Sequence, residues 1–243
     1  MSEVLKGGRP YYGYAIGIIL LDTRFPRGPG DIGNATSFEF PVVMKSVKGA
    51  DMRRAIKEAD PSLLKPFTDA AIELQDTYGV RAVTTSCGFL SIFQEQLAKA
   101  VHVPLFTSNL LMVPVVYSMT QRRVGIITAS ADSLTEKHLR AAKIDPSIPI
   151  ATIGLQDQPE WLRGHLGNSD TVDHSKTKKE VLGVAVKLKE KHPDIGSFVF
   201  ECHNLAPYSA SISETLGVPV FDIISFVRYL YYAVVPRRYE GFL

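Results

Sequence analysis

Two cysteines, Cys87 and Cys202, are the residues of this chain best suited to acid–base chemistry on carbon. Each closes an apolar, strand-like run: Arg81-Ala-Val-Thr-Thr-Ser-Cys87 and Gly196-Ser-Phe-Val-Phe-Glu-Cys202. Each then leads through a helix-like segment into a Val-Pro-x-Phe stretch, Val103 to Phe106 and Val218 to Phe221. A thiol at the end of a strand, facing the N-terminus of the next helix, meets free backbone N–H groups, and such a setting lowers its pKa from about 8.5 toward neutrality. Two thiols opposed across a cleft can pass a proton through a carbon between them: a thiolate removes one, and the other thiol returns one to the opposite face. A lone cysteine is more often a small buried hydrophobe. The matched surroundings of this pair favour chemistry.

The elements that would position the thiols repeat as well. Ile16-Gly-Ile-Ile19 resembles Val124-Gly-Ile-Ile127, so the chain reads as two related halves of about 110 residues. Apolar strands alternate with amphipathic helices, expected near Pro61–Tyr78, Phe89–Ala100, Ser133–Ala142, Lys176–Lys191, Ala206–Leu216 and Ile223–Val234. Strands are expected at Ile16–Leu21, Ala82–Ser86, Val103–Phe106, Val124–Thr128, Ile150–Leu155, Phe198–Glu201 and Val218–Asp222, with Pro114 kinking or capping an apolar helix. This pattern indicates parallel sheet covered by helices on both faces. The expected fold is α/β, with two pseudo-symmetric Rossmann-like lobes, each a mostly parallel sheet flanked by helices, and the site in the cleft between them. Residues 1–117 with 218–243 are expected to form the first lobe and residues 118–217 the second.

Composition narrows the function. Lys plus Arg number 27 against 25 Asp plus Glu, a formal net charge of +2, which gives no field for nucleic acid or an anionic membrane. The apolar run Ala15 to Leu21 is far shorter than the roughly 20 residues of a membrane span and lacks the flanks of a secretory signal, so a cytoplasmic location is expected. There two cysteines are not expected to pair, and neither Cys-x-x-Cys nor a histidine pair at helical spacing offers a metal site. Gly-x-Ser-x-Gly is absent. Gly28-Pro-Gly-Asp-Ile-Gly33 matches the dinucleotide pattern in letters only, because no strand turns directly into a helix there. It reads instead as a mobile loop over the cleft, with Arg24 and Arg27 as carboxylate contacts.

Thr-Thr-Ser-Cys87-Gly and Glu-Cys202-His-Asn-Leu-x-Pro-Tyr, with the Gly-Ile-Ile and Val-Pro-x-Phe strands, resemble the cofactor-independent aspartate/glutamate racemase superfamily over most of the chain. The resemblance implies two lobes that each hold one cysteine against a face of the substrate Cα, with no cofactor and no metal. The implied activity is racemisation or epimerisation of a small carboxylate-bearing substrate, an amino acid or a derivative. A maleate-type cis-trans isomerase and a non-catalytic small-molecule-binding protein are the alternatives. Cys87 and Cys202 are the implied catalytic pair.

Two departures bear on the substrate. Amino-acid racemases follow the first cysteine with Asn-Thr, whereas Gly88-Phe89 stands here, and after the second cysteine the common Thr is His203, followed by Asn204. His203 would contact a substrate carboxylate or support the Cys202 thiolate as an imidazolium, or else be structural. The remaining substrate-binding candidates are Asp22, Thr23, Thr85, Ser86, Gly88, Thr128, Ser130 and Asn204. Glu201 reads as a buried carboxylate or an exposed strand end. The aromatic stretch Phe226–Tyr232 either packs inside or covers an interface in a homo-oligomer.

Overall fold

Ile16–Leu21, six residues without a charge, form β1, an inner strand of a four-stranded parallel sheet. Its neighbours are β2 (Val42–Val47), β3 (Ala82–Thr85) and β4 (Leu105–Phe106), in the order β2-β1-β3-β4. A second parallel sheet contains β5 (Arg123–Thr128), β6 (Ile150–Gly154), β7 (Ile195–Phe200) and β8 (Val220–Phe221), in the matching order β6-β5-β7-β8. The computed structural model describes residue 4 and residues 7–242, so the outermost termini of the expected first lobe lie outside the described residues.

Helices cover both sheets: α1 (Leu64–Asp76), α2 (Gln94–Ala100), α3 (Val113–Thr120), α4 (Glu136–Ala141), α5 (Pro159–Trp161), α6 (His174–Lys191), α7 (Ser209–Leu216) and α8 (Ile223–Val234). Phe67, Ala70, Ala71 and Leu74 of α1 recur at the spacing of one helix face and are buried. The repeated glycine of the two inner strands has a packing reason. A Cβ on Gly17 would meet Leu74 Cδ1 at 3.0 Å, and one on Gly125 would meet Phe198 Cδ1 at 2.7 Å. The bare backbone at each sheet centre thus lets a neighbouring side chain sit against it.

The expected two-lobed α/β architecture is the observed one. Pro114 lies in the first turn of α3, just after the N-cap Met112, where its missing N–H costs nothing and it leaves the helix unkinked. The strand β2 was not anticipated, because Lys45 and Ser46 interrupt its apolar run on the sheet edge. Lys45 pairs with Glu73 of α1 at 2.7 Å. Near residue 218 the chain does not pass directly to the first sheet: β8 hydrogen-bonds to β7, and α8 then buries Ile223, Ile224 and Val227 with Ile16, Ile18, Ala82 and Phe106 of the first. Phe226 and Tyr231 of the aromatic stretch pack against Phe106 and Phe40, while Tyr229 stays 68% exposed.

Candidate active site

β1 and β3 of one sheet, and β5 and β7 of the other, end facing a common cavity. Leu21, Ser86, Cys87, Gly88 and Phe89 line it from the first lobe, and Ala129, Glu201, Cys202 and Asn204 from the second. Arg27, Met52 and Ile56 complete the wall. Its volume of about 10 Å³ accommodates about one water. Met52 and Ile56 also line an adjoining groove of about 520 Å³, so this pair forms the partition between the two.

The two thiols sit in unlike surroundings. Cys87 caps a 3₁₀ segment, Gly88–Phe93, and the backbone N–H groups of Phe89 and Leu90 nearby favour its thiolate, although none makes a side-chain cap hydrogen bond. Arg27 adds an attractive positive charge. Cys202 has one such neighbour, the Asn204 N–H, and its own S–H points to Asn204 Oδ1 at 3.7 Å. Burial pushes both thiols up, and the charge of Glu201 pushes them further. The expectation of thiols shifted toward neutrality is therefore corrected: desolvation outweighs the N–H groups of a short 3₁₀ turn.

Glu201 is the sharpest electrostatic feature. It is completely buried, and its Oε2 accepts a 2.6 Å hydrogen bond from Thr128 Oγ1. Oε1 has no protein partner. Burial raises its pKa to about 7, against the opposing Thr128 hydrogen bond and the nearby Ala129 backbone N–H.

Arg27 is the one cationic residue on the wall of the cavity among the described residues. Its Nη1 donates to Asp31 at 2.7 Å and its Nη2 to Thr23 Oγ1 at 2.8 Å. Asp31 also accepts from the Gly33 N–H and from Asn204 Nδ2, at 2.7 and 2.8 Å. The loop around Gly28–Gly33 is therefore tied down across the lobes rather than mobile, and Gly30, at φ +91°, packs against Pro207. Arg24 is exposed, and its backbone N–H donates to Asn168.

Of the expected substrate contacts, Ser86, Gly88 and Asn204 line the cavity. Thr23 holds Arg27 and Thr128 holds Glu201. Thr85 is buried with its hydroxyl on the Thr107 carbonyl. Asp22 and Ser130 do not reach the cavity. Asp22 is exposed and accepts from the Gly49 N–H, and Ser130 faces the adjoining groove.

His203 also turns away. Its Nδ1 lies 2.8 Å from the Thr85 carbonyl, so this nitrogen donates, and its Nε2 accepts the Asn109 N–H at 3.2 Å. Burial lowers its pKa to about 4, which makes it a neutral clasp between the lobes rather than an imidazolium. Sequence reasoning missed Met52 and Ile56, which reach the cavity only through the irregular π-helical turn Arg53–Lys57. No spacing rule points to that turn.

The two-lobed α/β fold is shared by solved structures. An arylmalonate decarboxylase superposes with a TM-score of 0.62 at 16% identity, over 93% of this chain and 94% of that one. A glutamate racemase isoform from Bacillus anthracis gives 0.59 at 13% identity, over 90% and 82%. The fold is that of the aspartate/glutamate racemase superfamily.

No protein-family model matches the chain. Among curated proteins it is 28% identical, over 217 residues, to a dimethylsulfoniopropionate lyase of Durusdinium sp. clade D, covering 86% of this chain and 71% of that protein. It is 29% identical, over 221 residues, to dimethylsulfoniopropionate lyase 7 of Emiliania huxleyi, covering 87% and 64%. The chain thus spans about two thirds of these relatives' length. These names overturn the racemase expectation, because they denote cleavage of a carbon–sulfur bond. The proteins that share the fold or sequence are enzymes, as expected, but the isomerase class does not stand. No helix among the described residues is long and apolar enough to cross a membrane.

Proposed function

We propose that this chain is a lyase that eliminates a dialkyl sulfide from a β-sulfonio carboxylate, dimethylsulfoniopropionate being the first substrate to test. The observation that carries the reading is the similarity to curated lyases across 86% of the chain. The charge of the site supports it: two thiols and a buried carboxylate surround a cavity with one wall cation, Arg27. A cationic sulfonium brings the charge that such a site lacks.

The chemistry needs one base. Cys87, with two N–H donors and Arg27 nearby, is the better thiolate of the pair. It removes a proton from the carbon next to the carboxylate. The carbon–hydrogen pair becomes the new double bond, the carbon–sulfur bond breaks, and its electron pair leaves with the sulfur. Dimethylsulfoniopropionate and thiolate thus yield dimethyl sulfide, an α,β-unsaturated carboxylate and the thiol, which returns its proton to solvent.

Proton abstraction next to a carboxylate is also the first half of a racemisation, which explains how one fold serves both reactions. The outcome diverges because the sulfonium is a leaving group. Arg27 spends two of its five N–H donors on Asp31 and Thr23 and offers the rest to the substrate carboxylate. Cys202 keeps its proton toward Asn204.

Headspace gas chromatography with the purified chain and dimethylsulfoniopropionate tests the reading, with proton NMR following the unsaturated acid. Stoichiometric release of both products, lost in Cys87→Ala, is expected. A folded protein that releases neither product from this or related sulfonium carboxylates refutes it.

A further inference from the structure

A fully buried carboxylate oxygen without a donor is costly unless a proton or a cation meets it. Glu201 presents such an oxygen, and the surrounding residues keep it available. Thr128 takes Oε2 alone, which fixes the carboxylate plane and leaves Oε1 free. Gly88, on the opposite lobe, has no side chain to cover it: a Cβ there would fall within 2.4 Å of Oε1. Both residues line the thiol cavity, and Glu201 acts electrostatically on both sulfurs. Arg27, the one wall cation, is already engaged with Asp31 and is not hydrogen-bonded to Glu201.

We infer that Glu201 determines specificity: its free Oε1 receives the positively charged sulfonio group of the substrate, while Thr128 clamps the other oxygen. The identity of the cation rests on the lyase reading; the place open to it, at an unpartnered Oε1 that no side chain covers, rests on the geometry. The carboxylate pKa near 7 means that binding a cation beside Oε1 also favours its ionised form. The positive charge disappears when the carbon–sulfur bond breaks, so this contact favours the bound substrate over the departing sulfide. Its signature is in KM more than in kcat.

Two unreactive ligands of the same shape isolate the charge: dimethylsulfonioacetate, which lacks the second carbon that the new double bond needs, and 3-methylbutanoate, in which a neutral CH replaces the sulfonium. In calorimetric titrations the wild-type chain is expected to bind the sulfonium at least about tenfold tighter, and Glu201→Gln, which keeps the Thr128 hydrogen bond, to bring the ratio near one. Should the Gln variant not fold, Glu201→Asp decides: it keeps the charge, withdraws it by one methylene, and should weaken the preference several-fold.

A preference that is absent in the wild type, or that is unchanged in whichever variant folds, overturns the inference. The two proposals fail separately. Sulfide release with no Glu201-dependent preference removes this inference and keeps the lyase. A Glu201-dependent preference without sulfide release keeps the cation site and removes the lyase.

Discussion

A Cβ on Gly88 would stand 2.1 Å from the Glu201 carbonyl oxygen and 2.4 Å from its Oε1. The residue after the first cysteine and the residue before the second are therefore in contact across the lobes, and no side chain fits between them. The asparagine that amino-acid racemases carry after the first cysteine is excluded here by Glu201.

Gly88→Ala should consequently impair both stability and turnover. The colliding atom is backbone, so the lobes must shift, at a cost of about 1–3 kcal/mol. Denaturant unfolding and sulfide release measure the two effects. A variant with unchanged midpoint and rate would show that the contact is not tight.

The two thiols should not be equivalent. Cys87→Ala removes the proposed base and is expected to reduce kcat about 10²–10⁴-fold, whereas Cys202→Ala should cost distinctly less. The reverse order would move the base to Cys202, and equal losses would mean that both thiols take part.

Because burial and Glu201 raise both thiols, the free enzyme holds them protonated near neutrality. The thiolate fraction, and with it kcat/KM, should climb as pH rises over roughly pH 6 to 9, and iodoacetamide should alkylate the free protein slowly at pH 7. A flat rate profile with fast alkylation counts against the assignment. The charged and titratable groups acting on Cys87 are Glu201 and Arg27, with Cys202 opposite; all three belong in any fit of the curve.

Arg27→Lys keeps the charge but loses the planar fork that spans Thr23, Asp31 and the cavity. KM should rise about tenfold while kcat changes less. An unaltered KM would mean that the substrate carboxylate binds elsewhere.

Three buried histidines set an acid limit. Burial holds His138, His165 and His203 down to about 4 from 6.5, so between these values the unfolded chain binds protons that the folded one does not. Stability is lost as pH falls through that window. Glu201, raised to about 7, has the opposite sign, its contribution fading as pH climbs from 4.5 to 7. Three groups outnumber one, and the melting temperature should drop on going from pH 6.5 to 4. His203→Ala should lose about 2 kcal/mol at pH 7, since it strands the Thr85 carbonyl and the Asn109 N–H.

Legibility in the sequence followed the range of the interactions. The inner strands and the helix Ile223–Val234 were plain, because an apolar run or a helical stripe is a local signal. The thiols were plain because the repeat placed them at matching strand ends. β2 was hidden by its polar edge residues, and the segment after Cys87 coils as 3₁₀ before α2 begins. The bond from Asn204 to Asp31 and the gap that Gly88 leaves beside Glu201 Oε1 are set by contacts between lobes, which no spacing encodes. The thiol pKa shift was misread for the same reason: the helix end was visible, the depth of burial was not.

A chamber with room for about one water has a mechanical consequence. The substrate cannot enter until Met52 and Ile56 withdraw toward the groove beside them, or the Arg27 and Asn204 side yields, so association cannot outpace that opening. Methionine is the pliable member of the partition, with three torsions that reorient without moving the backbone. Solvent viscosity and the bulk at residue 52 would then set the tempo of the cycle as much as the acidity of any thiol.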